Sequence, residues 1–132
     1  ALDISQQGIQ EIGQIFVVVQ DLKRAVNFYR DILGMKFLFE VQNAAFFDCA
    51  GVRLMLAPAN KPELNHTASI IYYRVLDIQK EYELLLSRGV SFEEKPHIVA
   101  KFDEYDLKMC FLRDSEGNIL GLMSEVDCTV PE

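Results

Sequence analysis

Residues 21–34, DLKRAVNFYRDILG, decide how the rest of the chain is read. Apolar or aromatic side chains fall at Leu22, Ala25, Val26, Tyr29, Ile32 and Leu33. That is the i, i+3, i+4, i+7 spacing of a helix with one buried face. Lys23, Arg24, Asn27, Arg30 and Asp31 occupy the other face. Asp21 can cap the N-terminus, where its charge also suits the helix dipole. Gly34 stands where a left-handed C-cap needs a residue without a Cβ. A β-branched strand, Ile15-Phe16-Val17-Val18-Val19, precedes the helix, and a strand over Met35–Val41 follows it.

Working outward, Ala44–Cys49 and Val52–Ala57 form a hairpin about Ala50-Gly51, and the turn-rich PANKPELN of residues 58–65 divides the chain. The second half then repeats the first. Ser69–Val75 reads as a strand, Asp77 caps a helix carrying Ile78, Tyr82, Leu85 and Leu86, and Gly89 ends it. Val90-Ser91-Phe92 opens a further strand, and Leu107–Leu112 pairs with Ile119–Met123 across Asp114–Asn118. The matches are specific: Asp21 with Asp77, Gly34 with Gly89, Phe37 with Phe92, Asp48 and Gly51 with Asp114 and Gly117. From helix Asp to hairpin Asp the spacing is 27 residues in the first half and 37 in the second. The excess lies in a long connection around residues 93–105 that contains His97. Two copies are too few for a solenoid. They predict an α+β fold: two βαβββ modules with a pseudo-twofold axis, curved mixed sheets around a cleft, and helices outside. Residues 1–132 read as one domain, with module one at about 12–58, a linker at about 58–67 and module two at about 68–126.

Composition narrows the function. Half the residues are apolar and a quarter charged, a globular balance. No apolar run approaches the roughly 18 residues of a membrane span, and no signal peptide is visible, so no membrane partner is expected. A net charge of −7 argues against nucleic acid, because phosphate contacts need a basic face. Cys49, Cys110 and Cys128 lack metal spacing and read as reduced thiols of a cytoplasmic protein.

The repeated βαβββ unit, with DLKRAVNFYRDILGM in the first half and FLRDSEGNILGLM in the second, resembles the vicinal-oxygen-chelate superfamily. That group includes glyoxalase I, bleomycin-resistance proteins, extradiol dioxygenases, fosfomycin-resistance proteins and methylmalonyl-CoA epimerases. The resemblance covers about residues 12–126. It implies a metal-ligand position on the first and last strand of each module. Here those positions are Gln14, Met55, Ile70 and Gly121. Gln14 suits such a site, Met55 offers a soft thioether, and Ile70 and Gly121 offer nothing. No metal and no cofactor are therefore expected.

If those positions face the cleft, strand alternation adds their neighbours. Gln14, Phe16 and Val18 come from the first strand, and Arg53, Met55 and Ala57 from the fourth. Tyr72 and Arg74 come from the second module's first strand, and Ile119, Gly121 and Met123 from its last. This is the mixed lining of a small-ligand pocket. The alternative is a closed core or a dimer interface, with both arginines in surface ion pairs. His97, beside Glu93 and Glu94, is the candidate acid or base, set against a plain loop histidine. His66 lies in the linker, Cys110 reads as core, and Asp114 and Asn118 as turn residues. The leading expectation is a metal-independent, homodimeric binder of a small organic ligand, similar to bleomycin-resistance proteins. Its rivals are a lyase, isomerase or dioxygenase with an atypical or metal-free active site, and a non-catalytic interaction domain. The ligand is expected to carry an anionic group near Arg53 and Arg74, with its apolar part against Phe16, Tyr72 and Met123.

Overall fold

The computed structural model of the chain describes residues 8–65 and 69–127, so His66 and Cys128 lie outside the described residues. Strand β1 (Gln14–Val18) leads into helix α1 (Leu22–Asn27), where the Asp21 carboxylate accepts the Arg24 amide hydrogen at 3.1 Å. The helix does not continue regularly to Gly34. From Phe28 to Ile32 it widens to a π turn, and the Leu33 amide donates to the Phe28 carbonyl at 2.9 Å. A π turn holds an extra residue. It lets the consecutive rings of Phe28 and Tyr29 both reach the core, edge to face with centroids 5.8 Å apart. Gly34 then adopts a φ of +74°, the left-handed conformation its position calls for.

Strands β2 (Lys36–Val41), β3 (Ala44–Cys49) and β4 (Val52–Ala57) complete the first module. The second runs β5 (Ile71–Arg74), α2 (Ile78–Ser87), β6 (Ser91–Phe92), β7 (His97–Lys101), β8 (Tyr105–Arg113) and β9 (Ile119–Asp127). Asp77 caps α2 by accepting the Lys80 amide hydrogen, matching Asp21. The first sheet has the order β1-β4-β3-β2 and the second β5-β9-β8-β6. In each, the first and last strands pair in parallel and the others antiparallel, so the sequence repeat is also a topological repeat. The fold is α+β, as expected. The connection expected around residues 93–105 is corrected: it contains β7, which pairs with β8 from His97↔Met109 to Lys101↔Asp106 and extends the edge that β6 begins.

One face of each sheet turns inward. Val17, Leu54, Leu56 and Phe47 of the first sheet join Leu112, Leu120, Leu122 and Cys110 of the second, with Ala25, Tyr29, Ile78 and Leu85 from the helices, in a single apolar cluster. Burial of such side chains stabilises by about 1.5–3 kcal/mol each before entropy is counted.

The β8–β9 turn ties the modules together. The Glu116 carboxylate accepts the amide hydrogens of Gln20 and Asp21, both at 2.8 Å, and binds Arg24 Nε at 2.7 Å. Its side chain is 1% exposed. Burial alone would raise this carboxyl, but Arg24, the Asp21 and Gln20 amides and the Ser115 hydroxyl outweigh it and hold the group at about 2. Asp114, also buried, accepts the Tyr29 phenol at 2.7 Å and the amides of Glu116 and Asn118. Asn118 Nδ2 donates to the Val18 carbonyl at 3.3 Å. Asp114 and Asn118 are thus turn residues, as expected, with an added grip on the other module. Cavities of about 270 and 260 Å³ share Cys49, Tyr73 and Arg74 in their linings. The buried Tyr73 hydroxyl has no hydrogen-bond partner among the described residues.

Candidate functional site

The sheet faces turned away from the core carry the candidate residues. On the first sheet the register aligns Gln14↔Arg53↔Asp48↔Lys36 in one row and Phe16↔Met55↔Phe46↔Phe39 in the next. Residues directly opposite in register share a face. Gln14, Phe16, Arg53 and Met55 are therefore brought together. The Gln14 amide reaches the Met55 sulfur at 3.8 Å, a weak contact. The Arg53 guanidinium lies 5.9 Å from the Phe46 ring centroid, within cation–π range. Phe46 in turn stacks on Phe39 at 4.8 Å.

Plain strand alternation does not show Phe39 on this face. With a period of 2, Phe37 and Phe39 would point the same way. The β2–β3 register shifts between them, so Phe37 pairs with Phe47 and packs its ring against it from the core side at 5.5 Å. Phe39 pairs instead with Phe46 on the open face and stays 44% exposed. A bulge of this kind re-aims a side chain without a sequence signal beyond the residues themselves.

The second sheet aligns Tyr72↔Gly121↔Phe111 and Arg74↔Met123↔Met109↔His97. Tyr72, Arg74, Gly121 and Met123 thus share the other open face, and strand β7 adds His97 to its margin. The ring contacts and hydrogen bonds of these side chains stay within their own sheet: Tyr72 packs on Phe111 at 5.7 Å, and Arg74 binds Glu125 at 3.1 Å. The two arginines differ. Arg74 has a carboxylate partner, whereas Arg53 has none within ion-pair distance among the described residues. His97 is a strand residue, not a loop residue, with Nδ1 3.0 Å from the Lys95 carbonyl and Nε2 3.9 Å from Glu94. Of the thiols, Cys110 is fully buried, and burial pushes it up to about 11. Burial likewise raises Cys49, the opposite of the lowered value that activates a thiol.

The four positions where the superfamily resemblance expects metal ligands do not fit a metal ion. Gln14 and Met55 supply an amide and a thioether, and Ile70, 44% exposed, supplies hydrocarbon. Gly121 lies beneath the Tyr72 ring: a Cβ at this position would stand 2.7 Å from Tyr72 Cδ2. Its φ is not in the left-handed region, so a side chain here meets the Tyr72 ring and must displace it, with no backbone strain. Among the described residues, no three of His, Cys, Asp and Glu cluster as a metal site would.

A family model for the Glyoxalase/Bleomycin resistance protein/Dioxygenase superfamily matches residues 11–122. The chain is 28% identical over 121 residues to the Uncharacterized protein YraH of Bacillus subtilis, covering 81% of this chain and 92% of that protein. It is 27% identical over 115 residues to the Metallothiol transferase FosB of Staphylococcus saprophyticus, covering 83% and 74%. A glyoxalase/bleomycin resistance protein/dioxygenase superfamily member from Sphaerobacter thermophilus superposes with a TM-score of 0.75 at 22% identity, covering 89% of this chain and 98% of that one. A lactoylglutathione lyase from Agrobacterium tumefaciens does so with a TM-score of 0.72 at 16% identity, covering 89% and 95%. At these identities the structural likenesses establish the fold.

Proposed function

The chain belongs to the Glyoxalase/Bleomycin resistance protein/Dioxygenase superfamily, and from that premise we propose that it is a metal-independent small-molecule-binding protein. The observation that carries this reading is the corner at Gly121. Where the superfamily resemblance places a ligand for a divalent ion, this chain has a glycine roofed by an aromatic ring. It sits on the open face of the second sheet, and both open faces have the apolar, aromatic and sparsely polar makeup of a binding surface. Phe39 on the first sheet and Tyr72 on the second remain 44% and 45% exposed, which supports an occupant. We further propose a single domain that forms a homodimer. The unpaired thiols of Cys49 and Cys110 support a reducing, cytoplasmic setting.

The test is a fragment screen by thermal shift and NMR on chelator-treated protein, repeated with Zn, Ni, Mn and Fe added, together with elemental analysis. Binding to the chelated protein, unchanged by added metal, is the expected result. About one tightly held ion per chain, or binding that requires one, would overturn the proposal and favour the superfamily's lyase, isomerase or dioxygenase chemistry.

A further inference from the structure

The two open faces differ in charge, and that difference selects a ligand class. On the second sheet Arg74 is already neutralised by Glu125 at 3.1 Å. On the first sheet Arg53 has no carboxylate within ion-pair distance among the described residues and leans only on the Phe46 ring. Asp48 stands opposite Arg53 in the register, but its Oδ1 accepts the Gly51 amide at 3.2 Å, and no ion pair to Arg53 forms. Lys36 stands on the far side of Asp48 in the same row. Two cations and one carboxylate leave this row locally positive, although the whole chain carries −7. At contact distance the local charges dominate, because the far ones are screened over about 10 Å.

The row has further features suited to an anion. Gln14, opposite Arg53, spends its amide on a thioether at 3.8 Å, a bond readily exchanged for a better acceptor. Next to the guanidinium, Phe46 and Phe39 form a stacked pair with Phe39 half exposed, an apolar stack whose open edges a further aromatic ring can pack against, beside a planar donor fork.

Resting on the reading of the open faces as binding surfaces, the geometry points to a planar aromatic carboxylate as the ligand class. Its carboxylate is held by Arg53 and Gln14, and its ring lies against Phe39 and Phe46. Arg74 takes no part. Expectation from sequence gave both arginines this role and assigned the apolar contacts to Phe16, Tyr72 and Met123. The ion pair at Arg74 and the bulge that exposes Phe39 move the site to the first sheet.

The probes are 2-naphthoate, its neutral amide 2-naphthamide, and 2-naphthylmethylammonium, titrated into chelator-treated protein by calorimetry with NMR shift mapping. Naphthoate is expected to bind at least tenfold tighter than the amide or the ammonium, with shifts at Phe39 and Phe46 and weakening on added salt. Arg53→Gln should erase the tenfold preference, Arg53→Lys should restore part of it, and Arg74→Gln should leave it intact. Arg53 is exposed, so these variants retain the fold. Equal affinity for the acid and the amide, or a preference lost in Arg74→Gln instead, overturns the inference while leaving metal-independent binding intact. If none of the three binds either face, the inference fails, whereas the broader reading fails only by its own metal test.

Discussion

Glu116→Gln tests the joint between the modules. The carboxylate Oε1 takes the Gln20 and Asp21 amides at 2.8 Å, and Oε2 takes Arg24 Nε at 2.7 Å and the Ser115 hydroxyl at 2.9 Å. A glutamine keeps the shape. It can place its carbonyl oxygen on the two amides, but its NH2 then faces Arg24, donor against donor. Two charge-assisted bonds become neutral ones, a loss of about 1 kcal/mol each. The Arg24 contact adds little, because that side chain is 55% exposed. The expected cost is about 2 kcal/mol at pH 7. The sign of the pH dependence follows from the depressed carboxyl. A folded value of about 2, against an ordinary value near 4.3, means the stabilisation is present above about pH 4.3 and is lost as pH falls through 2. Urea unfolding of both proteins at pH 7, 5, 4 and 3 should therefore give curves that converge on acidification. A difference below about 0.5 kcal/mol at pH 7, or one that stays constant down to pH 3, would refute the reasoning.

Two tyrosines should respond oppositely to loss of the hydroxyl. Tyr29→Phe removes a donor from buried Asp114 and should cost about 1–2 kcal/mol in urea unfolding. Tyr73→Phe removes a buried hydroxyl that has no described partner, and should be neutral or stabilising by up to about 1 kcal/mol. Gly121→Ala forces a Cβ to within 2.7 Å of the Tyr72 ring, so a double-mutant cycle with Tyr72→Ala should show coupling of about 1 kcal/mol or more. For the same reason Ile70→His with Gly121→Glu should not bind cobalt, by absorption titration, unless Tyr72→Ala is added. Light scattering at micromolar concentration should report a dimer, and a monomer throughout would remove the proposed homodimer.

The fold was legible because its signals are local. Asp21 and Asp77 cap helices in a way that short-range chemistry dictates, and the apolar periods of Val17, Leu54 and Leu122 follow from strand geometry alone. The candidate site was half legible for the same reason. Alternation placed Gln14, Phe16, Arg53, Met55, Tyr72, Arg74, Gly121 and Met123 together as one cleft lining, whereas the register puts the first four on one sheet and the last four on the other. What alternation cannot carry is any break in period. The π turn at Phe28 and the β2 bulge each insert one residue, and each re-aims a phenylalanine. The short edge strand β7, whose Ile98 and Val99 are exposed, lacked the apolar burial that marks β1 or β4, so His97 read as loop. Pairing choices were equally hidden. Nothing in the sequence says that Glu116 caps a helix in the other module, or that Glu125 and not a ligand neutralises Arg74. Those partners lie far apart along the chain, and only closure of the fold decides which carboxylate meets which cation. The charge of the open faces is therefore a tertiary property: the same two arginines would predict a different ligand if Glu125 reached Arg53 instead.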